Sequence, residues 1–514
     1  MTEHQEAPAR FTFGVASTHG IVLGLDIARL AALGAGTVLA AVSLMAHLPV
    51  PLAVILAAAG IAACYGRVKG TPLISWAGPI AGYVSRTKLA SRLWTAPIPE
   101  GALATGAASR AITRPTTRGA TTTAARPSPD RDVPLPPEWG RGKIAEAKIG
   151  ARPVGLIAER RPAAFGLGGP RWHVTGVLEA TSPLPFALRP RDEQVEAIGA
   201  WGQVLSETCV EAGAIHAVQW VERQVPDVAG AAAAWMGRHL ASSTDPSRAE
   251  DYAALLDRLD AVSSVHEVYV AVDVSSHVRD RAEAIAAACF ELQLIATRLG
   301  AIGLEITPLD ADALSGLLVA AVAGVPRSAL APSQHNGPAV MAREEHWDAL
   351  RVDGLWHRSL CVSAWPRTEV GPAWLEPLLV AASPGAVRTI AVHLHPTPPS
   401  VSRRHVTVRR TTAEANVEQR RRRGWLVGAR ETREATEAAR RDAELVAGYG
   451  EHRIAAVVSI AAPSKDALAA ATRAVQAAGA RSGIDLSVLY GRQSDAMVAS
   501  LPLARLAMRA TGGF

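Results

Sequence analysis

Apolar residues are concentrated unevenly along this chain. From Leu30 to Gly66 there is no Asp, Glu, Lys or Arg, and His47 is the sole ionisable side chain there besides Cys64 and Tyr65. The segment His47-Leu-Pro-Val-Pro51 divides the stretch into two runs, Leu30 to Ala46 and Leu52 to Gly66. Each is close to the shortest helix that spans a bilayer, roughly 17 to 25 residues. A backbone in lipid must satisfy its own hydrogen bonds, so the runs predict two helices joined by a tight proline-containing turn. Arg29 precedes the first run, and Arg67, Lys69, Arg86, Lys88 and Arg92 follow the second, while the turn carries no Lys or Arg. By the positive-inside rule both ends face the cytoplasm. A cleaved signal peptide is disfavoured, because a second run follows the first and no small-residue cleavage site lies beyond it.

Four further regions follow the transmembrane hairpin of 27–69, itself preceded by an N-terminal cytoplasmic segment, 1–26. Residues 70–96 mix apolar, aromatic and basic positions (Leu73, Trp76, Tyr83, Trp94) and read as a juxtamembrane amphipathic segment. Residues 97–149 are rich in Thr, Ala, Pro and Gly and read as a flexible linker. Residues 150–330 alternate strands and helices. Strands are predicted at 153–158, 173–178, 216–221, 268–272 and 304–307, and helices at 192–211, through 236, through 259, at 279–299 and at 310–321. Residues 331–514 form a second unit, with strands at 359–365, 388–395, 454–460 and 484–490. Helices are predicted there at 374–380, 412–446 and 464–478. That β-α-β-(long helix)-β-α-β order fits a ferredoxin-like sandwich whose long charged helix is an insertion. The expected fold class is therefore α+β: a two-helix hairpin followed by cytoplasmic α/β units, with no sequence repeat of 20 to 50 residues.

Composition agrees with a protein that buries much apolar surface. Hydrophobic residues make up 49% of 514 and charged residues 19%, below the usual quarter or so, and mean hydropathy is +0.13. This excludes a disordered chain, a collagen and a disulfide miniprotein. Of 53 basic residues only Lys69, Lys88, Lys143, Lys148 and Lys465 are lysines, and the formal net charge is +6. Several positive charges flank the hairpin or lie in the linker, which weakens the case for nucleic acid.

The search for chemistry returns little. There is no GxxxxGK[ST] loop, no GxGxxG after a strand, no GxSxG elbow and no HExxH pair. Cys64, Cys209, Cys289 and Cys361 are isolated, so a thiolate zinc site is not expected. His393 and His395 share one strand face, and Glu344, Glu345, His346 and Trp347 sit together, but a solvated helix start explains the second group and exposed histidines the first. The row Arg420, Arg421, Arg422 and Arg423 has the charge to hold phosphates. Glu414, Glu418, Glu431 and Glu434 lie within a few turns and are expected to pair with much of it. Direct nucleic-acid binding is disfavoured. Trp201, Trp220, Trp235, Trp347, Trp356, Trp365 and Trp374 are read as packing anchors.

Several segments together resemble an actinobacterial family of membrane proteins encoded with conjugation or type IV-like secretion genes. The hairpin with Arg67-Val-Lys-Gly-Thr-Pro-Leu73 and Trp76 resembles the small two-helix membrane component of type IV systems. Asp192-Glu-Gln194, Trp201-Gly202 and Val218-Gln-Trp-Val-Glu-Arg223 resemble the family's first soluble unit. Ala364-Trp-Pro-Arg367 with Val370, and Leu489-Tyr-Gly-Arg-Gln493 with Leu501-Pro-Leu503, resemble its second, and are also similar to the N-terminal non-motor domain of conjugation ATPases. The chain ends at Phe514, where their motor domain would begin, so the resemblance implies no catalysis. It implies no cofactor and no metal. It implies a membrane-anchored scaffold, oligomeric within a complex, that contacts inner-membrane lipid, other membrane subunits and a separate P-loop ATPase. Arg67, Lys69 and Trp76 are the expected anchors, and Arg420 to Arg423 with Leu501 and Leu503 the expected partner contacts. The E component of type VII secretion systems is a second resemblance, through 279–299, Leu304-Glu-Ile306 and Asp310-Ala-Asp-Ala-Leu314. A membrane-tethered enzyme using His346, His393 and His395 would need those groups to converge. A DNA-binding accessory protein is the remaining alternative.

Overall fold

The computed structural model describes residues 27–68, 71–88, 92–96, 130–162, 169–184, 186–226, 245–260, 264–331, 334–335, 337–381, 383–422, 424 and 429–506. The protein is α+β. Its centre is one 14-stranded antiparallel sheet.

The N-terminal apolar runs fold as helices α1 (Ile27–Met45) and α2 (Val50–Tyr65). Their turn places His47 at φ 54°, and α2 starts behind Pro49. A short ribbon, β1 (Arg67–Val68) with β2 (Thr71–Pro72), follows. Helix α3 (Ala77–Lys88) and strand β3 (Leu93–Thr95) then lead into the main sheet. The stretch expected as a linker over 97–149 contains two strands of the sheet. Residues 97–129 lie outside the described set, but β4 (Arg131–Asp132), the buried Trp139 and β5 (Lys143–Ile149) are folded parts of the sheet domain. The alternation Lys143-Ile-Ala-Glu is too short to stand out beside a Pro- and Thr-rich stretch.

The first half of the sheet is built from β6 (Arg152–Arg161), β7 (Arg171–Thr181), α4 (Arg191–Ser206), β8 (Ile215–Pro226), α5 (Pro246–Asp260), β9 (Ser264–Ser276), α6 (Arg281–Ala301), β10 (Glu305–Pro308) and α7 (Ala311–Ala323). The second half contains β11 (Ala342–Glu345), β12 (Leu350–Val352), β13 (Leu355–Ala364), α8 (Glu376–Leu379), β14 (Val387–Pro396) and α9 (Pro399–Arg422). It continues with α10 (Ala429–Val446), β15 (His452–Ala462), α11 (Lys465–Arg481), β16 (Asp485–Val488) and α12 (Gln493–Ser500). The helix start expected at 344–347 is instead the end of β11 and a turn. The β12–β13 turn, with Asp353 at φ 50° and Gly354 at φ 121°, is an Asp-Gly hairpin of the kind that matches strand twist.

The two halves have the same strand order. In the first, β10–β7–β9–β8 lie side by side, and in the second β16–β13–β15–β14 do so, all antiparallel. Strands β8 and β14 pair with each other from Arg388↔Gln224 to Leu394↔Val218 and fuse the halves into one sheet. The units expected at 150–330 and 331–514 therefore share a continuous hydrogen-bonded core. The long charged insertion is two antiparallel helices, α9 and α10, bridged by Arg410 and Asp442 at 2.7 Å.

Period-2 alternation gives the sheet two apolar faces. One carries Leu178, Val218, Val270 and Val272 beneath α6, whose Ala284, Ala288, Leu292, Ile295 and Leu299 are buried at helical spacing. A Cβ at Gly176 would meet the Leu292 side chain at 2.5 Å, so helix and strand pack closely at this crossing. The other face carries Val177, Val221, Tyr269 and Ala391 beneath α7 and the C-terminal segment.

Candidate functional site

The helix pair α1–α2 and its junction with the sheet form the first candidate. The helices meet at glycines: a Cβ on Gly36 would lie 2.6 Å from the Gly60 Cα. Small residues at such a crossing let two backbones approach, as in membrane helix pairs. Ser43, Ala53 and Cys64 are the buried side chains along this pair. The opposite surfaces are apolar and uncovered, with Val38, Leu39, Val42, Val54, Ile55 and Ile61 all more than half exposed. At 1.5 Å per residue the helices, 19 and 16 residues long, are about 28 and 24 Å long, short of or near the roughly 30 Å hydrocarbon layer. Among the described residues, the helix that meets the length and hydropathy of a span is α6 (21 residues, hydropathy 1.3), and its apolar stripe packs on the sheet. Two membrane spans are thus not shown.

A collar of aromatic and ionic contacts joins the pair to the sheet. Trp76, expected as a membrane anchor, is turned inward. Its ring lies 6.3 Å from that of Trp347 and 5.5 Å from that of Tyr490. Tyr83 of α3 meets Trp347 edge-on at 5.1 Å, and the Arg92 guanidinium lies over the Tyr83 ring, 4.7 Å from its centre. Glu345, almost fully buried, accepts from Arg86 Nε at 3.0 Å and from the Ser494 N–H at 3.2 Å, and its carbonyl accepts from Arg92 at 3.0 Å. Burial raises the Glu345 carboxyl above the ordinary range, with Arg86 opposing. Two flanking charges read as orienting the hairpin, Arg86 and Arg92, are engaged in this joint. Gly491, at φ 68°, also accepts from Arg86 through its carbonyl.

The other expected site residues separate. Arg67 is exposed on β1, at the base of the helix pair. Lys69 and Arg423 lie outside the described residues. Arg420 to Arg422 end α9, where Arg422 pairs with Glu418 at 2.9 Å. Glu414 pairs with Arg410 at 2.9 Å. Leu501 and Leu503 are not partner contacts on this surface. They are 1% and 5% exposed, buried under the sheet face. Gln219 donates to the carbonyls of Ala499 and Leu501 and accepts from the Ala504 N–H, which clamps the C-terminal segment across the strands. The sequence showed Leu-Pro-Leu as apolar but not that its own chain covers it.

The histidines do not form the site that an enzyme using His346, His393 and His395 would need. His393 is fully buried and contacts the Ala499 carbonyl at 2.8 Å. His346 packs on Trp356, near the far end of the sheet from His395. His395 instead joins a group whose other members sequence reasoning missed. His173 Nδ1 is 2.8 Å from Asp273 Oδ2, the His173 and His216 rings are 5.0 Å apart, and the His216 and His395 rings are 5.5 Å apart. These residues come from β7, β9, β8 and β14. Only the strand pairing and a bulge at His216, where the β8–β9 register shifts between Ile215 and Ala217, bring them together. Burial alone would raise the Asp273 carboxyl. Its bond to His173 and the nearby Arg161 outweigh that and hold it low.

Cys209 lies 3.4 Å from the His452 ring, and burial raises its thiol above the ordinary range, which disfavours the thiolate. Trp201 and Trp220 pack beneath α6, and Trp356, Trp365 and Trp374 on the second half's core. Trp235 lies outside the described residues. No protein-family model matches this chain, and no curated protein matches its sequence.

Proposed function

We propose that this chain is a membrane-anchored structural subunit of a bacterial secretion or conjugation machine, with a non-catalytic sheet domain on the cytoplasmic side. The observation that carries the reading is the uncovered apolar surface of α1 and α2, continuous along both helices and free of charge from Leu30 to Gly66. Soluble monomers rarely leave so large a patch exposed. Lipid and neighbouring membrane helices are its partners, and the Gly36–Gly60 contact suits such a pair. The collar around Trp76, Trp347 and Tyr490 holds the sheet domain at a fixed angle to the anchor. The strand order of each half is the ferredoxin-like one. The paired helices α9 and α10 project their arginines as a contact for a separate P-loop ATPase.

The test is fractionation of the full chain. Membranes should retain the protein through alkaline carbonate washing, and detergent should release it together with an ATPase. Recovery in the soluble fraction, or as a lone monomer in every detergent, would overturn the reading.

A further inference from the structure

We propose that His173, His216 and Asp273 form a binding site for a divalent transition-metal ion of the zinc type. Their donor atoms, one from each residue, all lie within 4.8 Å of one another. Zinc takes imidazole nitrogen and carboxylate oxygen at about 2.0 to 2.2 Å, so neighbouring donors around it stand roughly 3 Å apart. The 2.8 Å contact between His173 Nδ1 and Asp273 Oδ2 is already near that spacing. Closure around the ion asks mainly for a movement of the exposed His216 ring.

The surroundings suit ligands. Asp273 is completely buried, and Thr175 holds its other oxygen at 3.3 Å, so the carboxylate is fixed in place. Arg161, 3.3 Å from Asp273, is the competing cation. It also bonds Glu159 at 2.8 Å and can keep that partner when a metal takes the carboxylate. His395, whose ring lies 5.5 Å from that of His216, is a third imidazole beside the site and contacts the His216 carbonyl at 3.3 Å. The side of His216 that faces solvent supplies an entry path and leaves one coordination position for water, the arrangement of an open rather than a closed zinc site.

The fold itself does not ask for these groups. The pairs Leu178↔Val270 and Leu360↔Val458 are equivalent in the two halves, because the last strand of each half runs beside them. Counted from those pairs, the second half has Leu355 at the register of His173 and Ala461 at that of Asp273. At those two positions the second half carries apolar residues, so the His173–Asp273 pair belongs to the first half alone.

The test is zinc titration of the purified, metal-free full chain by calorimetry, with cobalt absorption as a second readout of the donor set. One zinc per chain should bind at micromolar concentration or tighter, and cobalt should give the visible bands of a nitrogen- and oxygen-ligated site. His216→Ala, at an exposed position, should weaken zinc by about tenfold or more, while His277→Ala, an exposed histidine on the adjacent turn, should not. Three results would overturn the proposal: no stoichiometric zinc binding, binding unchanged in His216→Ala, or loss of binding in Cys209→Ser instead.

Discussion

The two halves of the sheet share one strand order and spend it differently. The first half keeps charge within its core: Arg223 against Glu267, Asp273 with His173 and Arg161, and Glu222 facing the seam. The second half fills the corresponding strands with Leu355, Ser359, Ala461 and Ser459, and uses neutral histidines, His357 and His393, where the first has Thr175 and Arg223. Topology is set by which edges pair. It tolerates either content, provided each buried polar group finds a partner. The seam is where the two solutions meet. Arg388 of the second half reaches both oxygens of Glu222 in the first at 3.0 Å and donates to the carbonyls of Leu378, Leu379 and Ala381.

Breaking that seam should have the largest effect. Arg388→Ala leaves the buried Glu222 with His266 as its remaining partner, 2.7 Å away, and should cost about 3 kcal/mol in denaturant unfolding. Glu222→Leu with Arg388→Met should recover most of it, and equal losses in single and double variants would show that the pair is not what joins the halves. Next comes pH. Burial holds His357 near pKa 4, against about 6.5 in the unfolded chain. Because the folded value is depressed, its contribution is complete above about pH 6.5 and is lost as pH falls toward 4, on the order of 3 kcal/mol. His357→Leu should flatten that slope in melts between pH 7 and 4, and an unchanged slope would mean that the second half does not keep this histidine neutral.

The collar distinguishes the halves in another way, since Trp347, Tyr490, Glu345 and Ser494, its residues on the sheet domain, all belong to the second. Gly491→Ala should cost about 1 to 2 kcal/mol, because φ is 68° and the new Cβ would meet Trp347 at 2.6 Å. Limited proteolysis should then cut more readily around 89–91, between α3 and β3, than in the parent. The smallest effect is expected at His216→Ala. Stability should change by less than about 0.5 kcal/mol, as at other exposed positions, which would separate a ligand role from a structural one in the first half's cluster.

Much of the strand and helix pattern was legible. Val-rich runs at 173–178, 216–221, 268–272 and 454–460 gave strands, and helical spacing gave α6 and α11, whose Ser464 cap accepts from the Ala467 N–H at 3.1 Å. β5 and β11 were not, since Lys143 and Glu344 lie in short, charged segments that become strands only beside a paired neighbour. The charged insertion was read as one helix from 412, but α9 begins at Pro399, because proline suits the first turn of a helix. The candidate sites were less legible still. Trp76 looked like an anchor because its partners, Trp347 and Tyr490, are distant in sequence. His173, His216 and Asp273 form no motif, because their spacing is a property of the sheet.

The sequence by itself determined the local facts about this protein. Charge-free runs make helices, β-branched runs make buried strands, and Asp-Gly makes the turn at 353–354, since each depends on neighbours a few residues away. Only the tertiary structure decided that the two halves share one sheet, that Leu501 and Leu503 are buried by their own chain, and that a carboxylate and two imidazoles converge. Those outcomes depend on strand order and register. A shift of one residue in register turns every side chain of a strand to the other face, and no local pattern records which strand becomes its neighbour.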